Sequence, residues 1–455
     1  MAVVVRTSLA ATLIALTAVT AWAAEPGAES GTESESESES ESATESESES
    51  ESESESATDA ETETGTETES ETETDTDTEL GLAPAPATSD ADILGADPGW
   101  RIESADLRLG YTWQDGRGYQ SQAGPEGGPG DEHAWLIEPW GRIVVRQNRR
   151  VRHTVVVPVD VVTAASPDAV DAMTSASLRN TAVDVDVRTT IDRSDVTQLT
   201  TRVTLHVEEP LSSGTLGAGW RRALADDNAA IALETALTVD GFDHRNEYGG
   251  YLRKSARATS TSAASFSQLL STTTAFDAAY SFTAQAGVLE QTWNSVPVEG
   301  EGPDGERFPG HRLRHAVSAR LSQRVPLTAS TLKARYRFYV DDFGIRAHTV
   351  DAAAYQYVTR WLLLRVGGRL HRQTAADFFT TSLPARLGAS DDTPRTADSD
   401  LAAFDAREVS VELSVLRGRR NPILRDWSMS AEVLAYQRSN DFRLTTVALS
   451  VGRDL

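Results

Sequence analysis

From Trp100 onward, apolar and polar residues alternate one for one through most of the chain, and few folds tolerate that pattern at such length. Ala105, Leu107, Leu109, Tyr111 and Trp113 alternate with Asp106, Arg108, Thr112 and Gln114. Leu332, Ala334, Tyr336, Phe338 and Val340 oppose Lys333, Arg335 and Arg337; Leu362, Leu364, Val366 and Leu370 oppose Arg365, Arg369 and His371. Val409, Val411, Leu413 and Val415 alternate with Ser410, Glu412 and Ser414, and Trp427, Met429, Ala431 and Val433 with Ser428, Ser430 and Glu432. Period two places successive side chains on opposite faces, so each segment reads as a strand with one apolar face. About 14 to 16 such segments are expected, joined alternately by short turns and long polar loops. The turns include Gln147 to Arg150 and Leu327 to Ser330; the loops include Gln122 to Glu132, Pro297 to His311 and Thr374 to Asp405. That asymmetry belongs to outer-membrane barrels. A soluble sandwich also alternates, but here the polar faces carry Arg, Lys and Glu on successive strands, and the strands are long and numerous. The expectation is an all-β, antiparallel transmembrane β-barrel over residues 98–455.

What precedes that region differs in kind. Arg6, the apolar run from Leu9 to Val19, and Ala21-Trp22-Ala23 form an n-region, h-region and small-x-small site, so residues 1–23 read as a Sec signal peptide. The apolar run is too short to cross a bilayer as a helix, which takes about 20 residues. Residues 24–97 read as a disordered acidic tail of Ser-Glu and Thr-Glu repeats, closed by the stiffer spacer Leu82-Ala83-Pro84-Ala85-Pro86. The net charge of −27 comes mostly from the stretch Glu25 to Glu79, which holds about 23 of the 69 acidic residues. Beyond it roughly 46 acids (69 less 23) face 41 bases (42 less Arg6), a mixed surface without the basic footprint of a nucleic-acid binder. The absence of Cys excludes disulfides and thiolate metal sites. One short helix is expected, with Ser166 as N-cap, Pro167 at its first position and Asp168 in its first turn, running to about Ser175.

Particular stretches also resemble a bacterial outer-membrane β-barrel family classified only as a domain of unknown function. They are Val159 to Pro167, Trp293 to Pro297, Arg314-His315-Ala316, Tyr336 to Ile345 with His348-Thr349-Val350, Thr396 to Leu401, and Arg438 to Arg443. Together they cover most of Val159 to Leu455, and the run from Tyr336 to Val350 is the most specific. The resemblance implies an exported barrel and brings no activity or catalytic residues. Barrels of that kind usually end in an aromatic residue as an assembly cue, whereas this chain ends in Leu455.

Once apolar side chains are assigned to lipid, the candidate site follows. Arg320, Arg324, Lys333, Arg335, Arg337, Arg365, Arg369 and His371 must face the interior, with Glu412 and Glu432 beside them. Neighbouring strands lie under 5 Å apart, so the first five cations are placed to form one stripe, which would favour anions. The commoner outcome for close like charges is that they pair, here with Glu412, Glu432, Asp106 or Asp341, in a compensated interior.

Other motifs are weak. Gly300-Glu301-Gly302-Pro303-Asp304-Gly305 satisfies GxGxxG but lies in a polar loop, not in the strand-to-helix turn that cradles phosphate. His311 and His315 lack the adjacent Glu of a zinc protease. Asp391, Asp392, Asp398 and Asp400 lack EF-hand spacing. Ser318 and Ser322 stand at odd offsets from His315, hence on the other face of a regular strand, and no GxSxG elbow occurs. Tyr111, Trp113, Trp135, Trp140, Trp293, Trp361 and Trp427 read as interfacial anchors. No cofactor, metal or catalysis is expected. The leading expectation is a porin-like channel for small polar solutes with a preference for anions, in the outer membrane of a Gram-negative bacterium and in contact with its lipid. The alternatives are a non-conducting anchor or assembly platform for a periplasmic protein bound through the acidic tail, and an outer-membrane hydrolase.

Overall fold

The structure, a computed structural model, describes residues 99–115, 134–164, 179–208, 211–245, 251–290, 295–300, 304–385, 393–416 and 426–455. The signal peptide, acidic tail, Gln122–Glu132 loop, Ser166 helix, Trp293, Asp391 and Asp392 lie outside these residues.

The alternating segments become long strands. In chain order they are β1 (Arg101–Asp115), β2 (Ala134–Asn148), β3 (Val151–Ala164), β4 (Arg179–Ser194), β5 (Thr197–Val207) and β6 (Leu211–Leu224). Next come β7 (Ala229–Arg245), β8 (Tyr251–Ser271), β9 (Thr274–Gly287), the two-residue β10 (Ser295–Val296) and β11 (Asp304–Gly305), and β12 (His311–Val325). The series ends with β13 (Ser330–Asp341), β14 (Arg346–Tyr357), β15 (Leu362–Gln373), β16 (Phe404–Val415), β17 (Trp427–Arg438) and β18 (Arg443–Asp454). All but β10 and β11, which pair only with each other, form one closed barrel of 16 antiparallel strands in which β1 pairs with β18. Closure leaves no unpaired edge, the condition for a sheet to sit in hydrocarbon.

Register fixes the facing. Val366, Val411, Val433 and Val447 stand opposite one another across β15 to β18 and point outward. On the same outer surface Leu107, Leu216 and Leu370 are each about two-thirds exposed, at 68%, 65% and 65%. A soluble sandwich would clamp such rows between two sheets; here they coat the outside of a single closed one. Most inward residues are polar, charged or small, with Leu136, Trp140 and Leu434 among the exceptions. One end of the barrel holds both the start of β1 and the C-terminus, where the Leu455 amide donates to the Glu103 carbonyl. Short turns such as Arg149–Arg150, Asp195–Val196 and Pro326–Ala329 also lie at this end, and the long connections lie at the other.

Candidate functional site

The inner wall from β9 to β16 carries a continuous row of charge. Across the strands Asp277 faces Arg320, Arg320 faces Arg335, Arg335 faces Asp351, Asp351 faces Arg369, and Arg369 faces Glu408. Like charges therefore abut only at Arg320 and Arg335, and each turns to its own carboxylate. The Arg320 Nε donates to Asp277 at 3.1 Å, and the Arg335 Nε to Asp351 at 2.9 Å. Asp351 also accepts from the Arg369 Nε at 2.6 Å, so a single carboxylate bridges two guanidiniums, and Arg369 approaches Glu408 at 3.7 Å. Nearer the terminus end a second row begins at Arg365, which reaches Glu432 at 3.2 Å and Glu412 at 3.9 Å. Arg108 of β1 meets the other oxygen of Glu432 at 3.3 Å.

Between these rows the wall is recessed. Gly367 sits where a Cβ would come within 2.7 Å of the Ser410 hydroxyl, so glycine makes the space. Lys333 extends over the Tyr355 ring, 4.6 Å from its centroid. The recess is lined by Arg320, Lys333, Arg335, Asp351, Arg365 and Arg369, among others. Side-chain exposures of 29% for Arg335, 28% for Arg369 and 26% for Arg365 mean that water reaches these groups from inside.

Every candidate from the sequence thus faces the interior. Arg324, at the terminus end of β12, is exposed. Arg337 stands opposite Ser318 and Thr349, and the His371 ring bonds Thr349 at 2.9 Å and Gln373 at 3.2 Å. The stripe itself is compensated. Of the expected counter-ions Glu412 and Glu432 serve, but Asp106 lies 3.9 Å from Arg142 and Asp341 binds Arg312. The sequence reading missed Asp277, Asp351 and Glu408, which only the cross-strand register reveals. It also missed ion pairs on the opposite wall, where Arg202 meets Asp186, His206 meets Asp184 at 2.9 Å, and Arg257 meets Asp240 at 2.8 Å.

The described parts of the Thr374 to Asp405 connection, residues 374–385 and 393–405, are packed, whereas the sequence read as a long polar loop with its aspartates in solvent. With the β9–β12 connection and the Asp342–Ile345 turn they build an apolar knot of Leu289, Phe308, Phe343, Ile345, Ala376 and Leu401. Phe343 and Phe378 meet edge-on at 4.9 Å, and Arg312 lies over Phe343 at 4.6 Å. The Arg312–Asp341 pair beneath, 2.7 Å apart, is almost wholly buried. Gly344 adopts φ +91°, and a Cβ there would strike Asp377 at 2.3 Å, so the turn requires glycine. Farther along, Arg438 stacks on Phe404 and Phe442 and binds Asp400, while Asp398 accepts from the Asp400 amide. Asp398 and Asp400 are thus engaged within the protein. Among the described residues no cluster of three or more potential metal ligands occurs.

The remaining motif residues resolve plainly. His315 faces outward and bonds the Tyr280 hydroxyl at 2.8 Å, while Ser318 and Ser322 face inward. Trp113 and Trp135 pair on the outer surface, and Trp427 and Tyr111 are also outward and partly exposed. Trp140 is not an interfacial anchor, because register places it opposite Arg108 on the inner face. Gly300 lies in the turn region between β10 and β11, as a hairpin loop would have it.

Several stretches that carried the family resemblance converge on the capped end. Asp341, Phe343, Gly344 and Ile345, then Thr396 to Leu401, then Arg438 and Phe442, all build the cap. Residues 227–450 match the family described as a protein of unknown function, DUF3570. That match takes in every stretch that carried the resemblance except Val159 to Pro167. The matched segment runs from the turn before β7 into β18 and so holds the charged row and the cap together. No curated protein matches significantly. Among solved structures the chain is similar to Pseudomonas aeruginosa OccK1 (OpdK), at 11% identity over 78% of this chain and 98% of that one, with a TM-score of 0.39. It is similar also to a BenF-like porin from Pseudomonas fluorescens Pf-5, at 9% identity over 78% and 99%, TM-score 0.41. A third is Pseudomonas aeruginosa OprD, at 11% identity over 79% and 95%, TM-score 0.40. Likeness at this level says nothing about cargo.

Proposed function

We propose that the protein is a porin-like channel for small polar solutes in the outer membrane of a Gram-negative bacterium, with its termini and acidic tail in the periplasm. The observation that carries this reading is the two-sided wall: valine and leucine rows outside, and a partly exposed charged row inside. A barrel of 16 strands is wide enough to leave an aqueous interior. The exposures of Arg335, Arg365 and Arg369 speak for water inside, since a dry, filled interior would bury even these paired charges. Alternating charge along the row sets a transverse field that orients polar solutes more than it sorts them by sign. Lys333 and Arg337 add two cations to the same inner face, and the proposed modest bias towards anions comes from that added charge. No catalytic step is assigned to any residue. The pore-lining roles of Arg320, Arg324, Lys333, Arg335, Arg337, Arg365, Arg369, His371, Glu412 and Glu432 are part of the proposal.

The packed cap favours a second reading, a non-conducting anchor whose acidic tail holds a periplasmic protein. Conductance of the refolded full chain in planar bilayers separates the two. Discrete steps, with anion preference reduced when Arg320, Arg335 and Arg337 are together changed to Gln, support the channel. A sealed bilayer with correctly folded barrel refutes it.

A further inference from the structure

On the inner wall a shelf of small residues separates the two charged rows. Register carries it from Ala353 to Gly367 to Ser410 across β14, β15 and β16, all facing inward. Two residues towards the capped end stand Asp351, Arg369 and Glu408; two residues towards the terminus end stand Tyr355, Arg365 and Glu412. At about 3.3 Å per residue, the backbones of the two rows lie roughly 13 Å apart along the strands. The shelf is the floor of the recess that Gly367 opens.

Ser410 is only 3% exposed, yet among the described residues no group hydrogen-bonds its hydroxyl. That hydroxyl occupies the notch left by the missing Cβ of Gly367 and lines the recess. A buried hydroxyl without a partner carries a desolvation cost, which a polar ligand atom at this point removes. The charges around the shelf are close to balanced. In one row Arg320, Arg335 and Arg369 meet Asp277, Asp351 and Glu408. In the other Arg365 and Arg108 meet Glu412 and Glu432. Lys333, opposite Ala353, adds one cation beside the shelf, and Arg337, opposite Thr349, lies beyond the first row.

An ion bound between such rows gains from one neighbour and loses to the next. A hydroxyl group gains from both kinds, because it donates to a carboxylate and accepts from a guanidinium, and such charge-assisted bonds are the stronger ones. Polar groups line the recess on two opposite sides and on its floor. The solute that satisfies them carries polar atoms round its whole edge, whereas a monocarboxylate, polar at one end, reaches one row. We propose that the recess binds an uncharged polyhydroxylated solute of monosaccharide size. One hydroxyl meets Ser410, and others meet the Asp351–Arg369 and Arg365–Glu412 pairs. The inference deepens the channel reading and rests on it for access to the recess.

The test measures D-glucose binding to the refolded full chain in detergent by ligand-observed NMR, and the effect of D-glucose on single-channel KCl current in bilayers. Acetate and glycine betaine are the anionic and zwitterionic probes. Glucose should bind saturably and reduce the current beyond its effect on viscosity. Ser410→Ala should weaken binding about threefold and Asp351→Asn about tenfold, as loss of a neutral and of a charged hydrogen bond implies. Gly367→Ala, which fills the notch, should weaken it at least about tenfold. Ser265→Ala, which removes an inward hydroxyl on β8, should leave it unchanged. Heat-modifiable gel mobility reports the folding of each variant without reference to conduction. Equal glucose affinity in wild type and in folded Gly367→Ala and Ser410→Ala overturns the site. Acetate or betaine binding as tightly as glucose overturns the class of solute. Normal KCl conductance without saturable glucose binding refutes this inference alone, and silent bilayers with saturable binding refute the channel alone.

Discussion

Asp351 is the carboxylate on which the charged row turns, and its removal tests the row directly. Asp351→Asn keeps the shape and takes one negative charge from between Arg335 and Arg369, at 2.9 and 2.6 Å. A permeating ion passing about 7 Å from the site in water feels roughly 332/(80 × 7), or about 0.6 kcal/mol, per unit charge. Salt near 0.1 M, with a screening length of about 10 Å, halves this to about 0.3 kcal/mol. That raises anion occupancy about 1.7-fold and lowers cation occupancy by the same factor, so the permeability ratio moves about threefold towards anions. Arg335→Gln should move it about as far the other way. Stability should fall by only about 1 kcal/mol, because both guanidiniums remain partly hydrated. The assay is reversal potential across a tenfold KCl gradient, with single-channel conductance recorded in the same membranes. Channels that open normally but show one reversal potential for wild type, Asp351→Asn and Arg335→Gln would take the row off the ion path.

Facing is tested at the valine row: Val411→Arg should cost about 2–4 kcal/mol in urea unfolding from lipid vesicles, and Glu412→Gln, its inward neighbour, much less. Similar costs would mean the two faces are misassigned. Arg312→Ala strands Asp341 in the cap and should destabilise that element by about 3–5 kcal/mol, read as faster proteolysis between Thr374 and Phe404 while the barrel stays resistant to detergent. Gly344→Ala should act in the same place by about 1–3 kcal/mol, since φ near +91° and the Asp377 contact both oppose a Cβ. An unchanged cleavage rate in both variants would remove the Phe343 turn as the base of the cap.

Much of this architecture is written locally. Lipid imposes the same demand at every second residue, so runs such as Val409 to Val415 declare strand and facing together without knowledge of any partner. A closed sheet, its strand number to within two, and the inward position of the cations follow from repeating that rule. What the rule leaves open is pairing. Whether Arg335 meets Asp351 or Glu412 depends on register between strands, which alternation alone does not set, since a slip of two residues preserves every facing and changes every neighbour. Asp277, Asp351 and Glu408 were invisible as counter-ions for that reason, so a compensated interior was foreseeable while most of the carboxylates that compensate it were not.

The cap was hidden for a different reason. Its two main segments, Gly287 to His311 and Thr374 to Phe404, are far apart in sequence and polar in bulk, so each alone resembles a solvated loop. The signal was present as isolated apolar residues with no periodic role: Phe308, Phe343, Phe378 and Leu401. A polar loop that needs no partner has no use for four large hydrophobes, and their burial against one another shows where the two connections meet. The buried Arg312–Asp341 pair just below then fixes the knot to β12 and β13, because shifting the cap would strand one charge or the other. The inner wall stays wet at Arg335 and Arg369 and dries at Asp341. In the proposed channel, solutes entering from the capped end would meet the apolar knot before the charged row, and the route past it, on the β1 to β8 side or beneath the knot, would decide what size of molecule the row can serve.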